Sequence, residues 1–282
     1  MGLIVNTNLL SLNAQRSVNK TQKGLGQSVA RLSSGMRINS ARDDAAGMAI
    51  SMKLTAHVRS LNQAVRNAQD GISVVQTAEG GMGETHNILT RMRELSMQAS
   101  SGTLSTADRT ALQTEFGDLK TEIDRISDTT DFNGLKLMDG SLSASGVSLQ
   151  VGINNTSNDR ISISGSTFGN IDASALGLTT ATLSSIDTVG HAQSMLTVLD
   201  SAIGTVSTRR GNLGAVQNRL GSTISNLEIA SENLSAANSR IADADFAIET
   251  ANLTKSQIIL QAGVAVLSQA NTIPQYALQL LS

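Results

Sequence analysis

The sequence predicts a mainly α protein: an antiparallel bundle or coiled coil of long helices with a small β-hairpin region, its termini paired as a second helical domain. Three observations carry that prediction. Apolar residues step by three and four over long stretches, a single proline, Pro274, stands among 282 residues, and aromatic residues make up only 2%. A chain so poor in proline and rings suits long helices packed on Leu, Ile, Val and Ala.

The elements follow in order. Val18, Leu25, Val29, Leu32 and Met36 step by seven, four, three and four, an amphipathic helical stripe. Asp43-Asp44 reads as a solvated bend between two helices. A heptad seam then begins at Leu54 and runs through Val58, Leu61, Val65, Ala68, Ile72, Val75 and Met82. Continued past Leu89 to about Ala99, it gives a helix of roughly 45 residues, roughly 70 Å long at 1.5 Å per residue. Gly71, Gly80, Gly81 and Gly83 lie inside it, each costing up to about 1 kcal/mol against alanine. Either they allow close approach of another backbone or they break the helix near 80–83.

Ser105-Thr106-Ala107-Asp108 signals a helix start, and Leu112, Phe116, Leu119, Ile123 and Ile126 follow at helical spacing. That helix ends in a polar turn, Thr129 to Gly134. Val147, Leu149 and Val151 alternate with polar residues, as do Ile161 and Ile163, and Gly152-Ile153-Asn154-Asn155 lies near the turn of the hairpin this predicts. Helical periodicity returns near Ile186 and continues through Leu199, Val206, Leu213, Leu220, Leu227, Leu234 and Ile241. Leu260, Val264 and Leu267 form a last stripe. Helices at both ends flank a small β element, so an antiparallel arrangement brings the termini together. A stripe of this kind is marginal as an isolated helix. The terminal segments must pack on each other, pack on another subunit, or stay unfolded until they do.

Charge supports pairing of the ends. Residues 1–42 carry Arg16, Lys20, Lys23, Arg31, Arg37 and Arg42 and no acid, whereas 243–282 carry Asp243, Asp245 and Glu249 against Lys255 alone. An acid-free amphipathic start also fits a mitochondrial transit peptide. The net charge of −2 leaves no footprint of a general nucleic-acid binder. No apolar run is long enough for a transmembrane helix, and the first residues lack the basic n-region of a secretory signal. With no cysteine, disulfides, thiolate metal sites and cysteine nucleophiles are excluded.

No catalytic constellation emerges. His57, His86 and His191 have no metal-ligand spacing and read as surface histidines. The glycines at 80–83 lack the Lys-Ser/Thr of a phosphate loop. Nothing assembles a nucleophile, base and oxyanion donor. The expectation is no enzyme, no cofactor and no metal.

The motifs point elsewhere. Ile4-Val5-Asn6-Thr7-Asn8, the run Arg31-Leu32-Ser33-Ser34-Gly35-Met36-Arg37-Ile38-Asn39-Ser40 and Asp43-Asp44-Ala45-Ala46-Gly47-Met48-Ala49-Ile50 occur in that order. Arg91-Met92-Arg93-Glu94-Leu95, Glu122-Ile123-Asp124-Arg125-Ile126, Phe132-Asn133-Gly134 and Leu149-Gln150-Val151-Gly152 follow. Gly214 to Leu220, Glu232-Asn233-Leu234, Ser239-Arg240-Ile241, Gln261-Ala262-Gly263 and Gln269-Ala270-Asn271 complete the set. Across about 1–160 and 190–282 the chain resembles bacterial flagellins, in a short form with little or no outer variable domain.

The resemblance implies a structural subunit that polymerises into the flagellar filament used for motility. Residues 1–43 and 243–282 would form the terminal coiled coil of the inner tube. Residues 44–242 would form a rod-like helical domain with a β-hairpin near 135–170. Subunit packing would fall on Val18, Leu25, Val29, Leu32, Met36, Leu260, Val264 and Leu267. Implied partners are other copies of the chain, the flagellar type III export apparatus, an export chaperone, and the filament cap and hook–filament junction proteins. Neither a nucleic acid nor a membrane is among them. Export unfolded, without signal cleavage, would place the protein outside the cell. The resemblance also implies recognition by the host's Toll-like receptor 5 through Arg91, Leu95 and Glu115, with Thr90 standing where glutamine is frequent. The alternatives are a hook–filament junction protein and a soluble coiled-coil adaptor that closes as a dimer.

Overall fold

The computed structural model describes residues 7–179 and 185–279. Its elements, in order, are α1 (Leu9–Ser34), α2 (Ala45–Ala99), α3 (Thr106–Thr129), β1 (Asp131–Phe132), β2 (Leu135–Lys136), β3 (Val147–Gln150), β4 (Arg160–Ile163), the single turn α4 (Gly165–Phe168), α5 (Val189–Ala242) and α6 (Phe246–Gln279). Packing divides the chain into two compact units, 1–58 with 232–282, and 59–231. The helix breaks before Ala45 and after Ala242 fall where the sequence suggested domain boundaries. The compact units instead divide α2 and α5 within their lengths, so 45–58 and 232–242 group with the terminal pair.

The 59–231 unit holds the closed core. Met82, Leu89 and Met92 from α2, Phe116 and Ile123 from α3, and Met195, Leu199 and Val206 from α5 are fully buried together. Long unbranched methionines fill the gaps that a ring-poor composition leaves. Ser105 and Asp108 close a capping box at the start of α3: the Ser105 hydroxyl accepts from Asp108 N–H at 3.2 Å, and Ser105 N–H donates to Asp108 Oδ2 at 3.0 Å.

The long helix α2 starts at Ala45, earlier than its apolar seam. Asp44 caps it, Oδ1 accepting from Gly47 N–H at 2.8 Å, while the first turns leave Ile50 and Met52 exposed. With one end outside the core, that end carries no heptad signal. The helix runs unbroken through all four glycines. Two of them are sockets. A Cβ on Gly71 would sit 2.2 Å from Leu149 Cδ1, and one on Gly81 would sit 2.6 Å from Met138 Sδ. Around Gly80 and Gly83 there is open space.

Two hairpins dock on this unit. β3 and β4 pair antiparallel from Val147↔Ile163 to Gln150↔Arg160. Val151 and Ile161 pack with Ala68 of α2 and Leu220 of α5. The segment expected as a polar turn after α3 is itself a tight hairpin, β1 with β2. Asn133 and Gly134 take φ of 51° and 79°, the left-handed pair that a two-residue type I′ turn requires.

One glycine tests this packing. Gly146 has φ +61°, and a Cβ there would fall 2.3 Å from the Ile163 carbonyl oxygen, a backbone atom with no freedom to move. Replacing Gly146 with alanine should destabilise the 59–231 unit by on the order of 3 kcal/mol. A thermal melt against Gly102→Ala, which meets open space, reads the effect. Equal midpoints for the two variants would show that the hairpin shifts freely.

Candidate assembly surface

Within the unit formed by 1–58 and 232–282, α1 and α6 lie antiparallel. Ser11, Ala14, Val18, Thr21, Leu25, Ser28 and Leu32 make the less exposed row of α1, and Glu249, Leu253, Ser256, Leu260, Gly263, Leu267 and Ala270 the matching row of α6. Both advance by alternating steps of three and four, the pattern of a coiled-coil seam. The crossing is close where Gly263 meets Val18, because a Cβ on that glycine would lie 2.9 Å from Val18 Cγ2. At one end Asn8 donates to the Ala270 carbonyl at 2.7 Å and Ser11 to Asn271 at 2.8 Å.

A backbone clamp closes the other end. Gly35 takes φ 72° and caps α1. Ala244 N–H donates to Gly35 O at 2.9 Å, and Arg37 N–H donates to Ala242 O at 2.6 Å. The loop that follows is ordered by Asp43, which accepts from Ser40 and from the Asn39 backbone. Those hydrogen bonds, the Ser40 hydroxyl first, hold its carboxyl below the usual aspartate range.

Beside the clamp, Arg31 faces Glu249 at 3.7 Å. Glu249 is only 7% exposed. Arg31→Leu would leave a carboxylate stranded in the seam and should weaken pairing by about 3 kcal/mol, whereas Arg31→Leu with Glu249→Leu should cost far less. A double-mutant cycle on the terminal pair's stability measures this. Additive losses would show that the two side chains act independently.

What the pair leaves uncovered is its most informative feature. Leu9, Leu10, Leu12 and Val29 of α1, Met36 after it, and Phe246, Ile248, Ile258, Ile259, Val264 and Val266 of α6 are exposed by 42–62%. Among the described residues most of the exposed large apolar side chains lie in this unit, and most of the closed core lies in the other. One side of the pair carries a continuous groove. Its apolar part, about 570 Å³, is lined by Leu10, Ala14, Ile259, Ala262 and Val266. Its charged part, about 510 Å³, is lined by Lys20, Arg31, Glu249, Asn252 and Lys255.

The residues picked from the sequence divide between these surfaces. Val18, Leu25, Leu32, Leu260 and Leu267 are half-buried on the α1–α6 seam. Val29, Met36 and Val264 are exposed, by 50%, 42% and 53%. Val29 follows the seam residue Ser28 by one position and so turns away from the seam, and Met36, beyond the end of α1, is bridged through its backbone to Asp243. Sequence reasoning passed over Leu9, Leu10, Ile258, Ile259 and Val266. The signal was there: Ile258-Ile259-Leu260 and Val264-Ala265-Val266-Leu267 make α6 apolar around more than one face, which a helix with a single covered side does not need.

Arg91 and Glu115 are brought together as an exposed ion pair at 2.8 Å, with Glu94 also on Arg91 at 3.1 Å. Hydrogen bonds donated to Glu115 and then to Glu94 raise the Arg91 pKa. Leu95 is 1% exposed and belongs to the core, so it offers no surface to a partner. The physical reason is helical geometry: one position beyond the exposed Glu94, the chain has turned inward. His191 is exposed and pairs with Asp187 at 2.8 Å, while His57 and His86 are half-buried on α2. Among the described residues no group of three or more His, Asp or Glu could hold a metal ion. Among them, too, no helix is long and apolar enough to cross a membrane.

Comparison with known proteins places the arrangement. Residues 5–143 match the family model described as the bacterial flagellin N-terminal helical region, and 196–281 match the bacterial flagellin C-terminal helical region. The chain is 46% identical over 281 residues to a flagellin of Halalkalibacterium halodurans, covering 99% of this chain and all of that protein. It is 41% identical over 289 residues to the flagellar filament core protein flaB2 of Brachyspira hyodysenteriae, covering 99% of this chain and all of that one. A solved structure of a putative flagellar hook-associated protein from Vibrio parahaemolyticus shares the fold, with a TM-score of 0.59 at 13% identity over 71% of this chain and 100% of that one.

Proposed function

We infer the function from one premise: this chain belongs to the bacterial flagellin family. It is a structural subunit of the flagellar filament, and the same matches do not favour a junction protein or a closed adaptor. The observation that carries the mechanism is the exposed apolar surface of the α1–α6 pair. Covering those side chains against neighbouring copies gains roughly 1 kcal/mol for each half-exposed one. Together that is on the order of 10 kcal/mol, comparable with the cost of immobilising a subunit. The outward faces of α1 and α6 are not self-complementary copies of one patch. Contacts between them are therefore heterologous, and such contacts propagate as an open helix where the rotation between copies does not close a ring.

Residues 1–43 and 243–282 are accordingly the assembling part, and the seam, the groove and the outward row share the work. Val18, Leu25, Leu32, Leu260 and Leu267 hold the pair together; Val29, Met36 and Val264 meet other subunits. The role is architectural, without catalysis. Family resemblance supports export of the unfolded chain through the type III apparatus with its chaperone, addition under the filament cap, attachment through the junction proteins, and a final place outside the cell. It supports recognition by Toll-like receptor 5 as well, and the exposure of Arg91 and Glu115 favours the ion pair over the buried Leu95 as the contact.

Negative-stain electron microscopy of the purified chain, seeded with sheared filament, tests the function. Long uniform tubes are expected. Small closed particles at every concentration would instead indicate a soluble adaptor.

A further inference from the structure

The β1–β2 turn carries the one Asn-Gly dipeptide of the chain, Asn133-Gly134, and assembly makes no use of its chemistry. A glycine after an asparagine leaves the next backbone nitrogen unshielded by a Cβ, so that nitrogen reaches the side-chain carbonyl carbon with the least hindrance. Both residues are exposed, and among the described residues Asn133 is the only non-glycine with a positive φ. The hairpin that holds them is slight. Each strand has two residues, and the Lys136–Asp131 pair across it, at 3.9 Å, is exposed on both sides, where such a pair contributes little. One contact bears on the reacting atom itself: Gly134 N–H donates to Asp131 Oδ2 at 3.2 Å, which occupies the nitrogen and holds the turn closed.

We propose that Asn133 is a site of spontaneous deamidation whose rate is set by the Asp131–Gly134 hydrogen bond. When the turn opens, the Gly134 nitrogen gives up its proton to solvent and attacks Asn133 Cγ. A C–N bond forms, the Cγ–Nδ2 bond breaks, and Nδ2 takes up a proton and leaves as ammonia. Water then opens the cyclic imide at one of its two carbonyls, giving aspartate or isoaspartate; the sum is one water consumed and one ammonia released. Isoaspartate adds a carbon to the backbone and puts a second carboxylate beside Asp131. A two-residue turn cannot absorb that carbon while Phe132 stays opposite Leu135. The core lies directly beyond. Leu137 and Met138 are buried, Leu137 N–H donates to the Thr130 carbonyl at 3.1 Å, and Met138 and Thr130 fill the Gly81 socket. The chain thus carries a mark of its age at the edge of its core.

The test ages the full chain in warm neutral buffer and follows each asparagine by peptide mass spectrometry, with labelling by an isoaspartyl methyltransferase as the second readout. Conversion should appear at Asn133 well before Asn154 and Asn155, which are exposed but precede no glycine. Asp131→Ala should speed it roughly fivefold, the factor one ordinary hydrogen bond supplies, while Asp131→Asn, which keeps an acceptor, should convert at close to the parent's rate. Asn133→Gln should abolish the label, because its longer side chain closes a six-membered ring far more slowly. The isoaspartyl chain, separated by charge, should melt below the fresh one. Conversion at Asn133 no faster than at Asn154 and Asn155, or a label that survives Asn133→Gln, would overturn the site. An unchanged or slower rate in Asp131→Ala would overturn the gate, and so would an equal gain in Asp131→Asn. An isoaspartyl chain that melts with the parent would overturn the link to the core.

Discussion

Removing residues 1–43, or 243–282, should abolish filament growth outright while leaving the rest of the chain folded. The two halves of that outcome have separate causes. The 59–231 unit contains its own core, with Leu89, Met92, Phe116, Ile123, Met195 and Leu199 fully buried. Either deletion leaves the surviving terminal helix with its seam uncovered. A lone amphipathic helix of this kind is marginal in water, and the outward apolar row loses the partner that presents it. Seeded growth followed by electron microscopy gives the first half, and a circular-dichroism melt gives the second. Filaments of normal length from either fragment would remove the terminal pair from the mechanism.

The long helices and about a third of the terminal seam were legible because both are written in apolar spacing. Leu25 and Leu32 lie seven apart, Leu260 and Leu267 likewise, and each pair faces the other helix. Spacing failed where a second surface overlaid the first. Val29 and Val264 fit a step of four from a seam residue, yet the seam itself steps by three at those points, and both belong to the outward row. The β1–β2 hairpin has strands of two residues, too short for any alternation; only Asn133-Gly134 announced it. Arg31 and Glu249 meet across more than two hundred residues, so neither charge could be paired from the sequence. The resemblance groups Leu95 with Arg91 and Glu115, but the helix turns Leu95 into the core.

The overlay of two surfaces on α6 can be separated by experiment. Leu260 is half-buried on the seam, whereas Val264, one turn on, is 53% exposed. Leu260→Asp places a charge between α1 and α6 and should weaken their pairing by several kcal/mol. Val264→Asp places the same charge on the outward row and should leave pairing intact. Both should stop filament growth, for different reasons. The natural chain has no cysteine, so cysteines introduced at positions 18 and 263, where Gly263 leaves room for only the Val18 methyl, report pairing as an intrachain cross-link. The cross-link should form in the Val264→Asp background at the rate of the parent and should be largely lost with Leu260→Asp. Growth of Val264→Asp filaments at the parent's critical concentration would mean that the outward row is ordinary surface. Loss of the cross-link in both backgrounds would mean that the helix pair forms only when neighbouring subunits hold it, which makes folding of the termini and assembly one event.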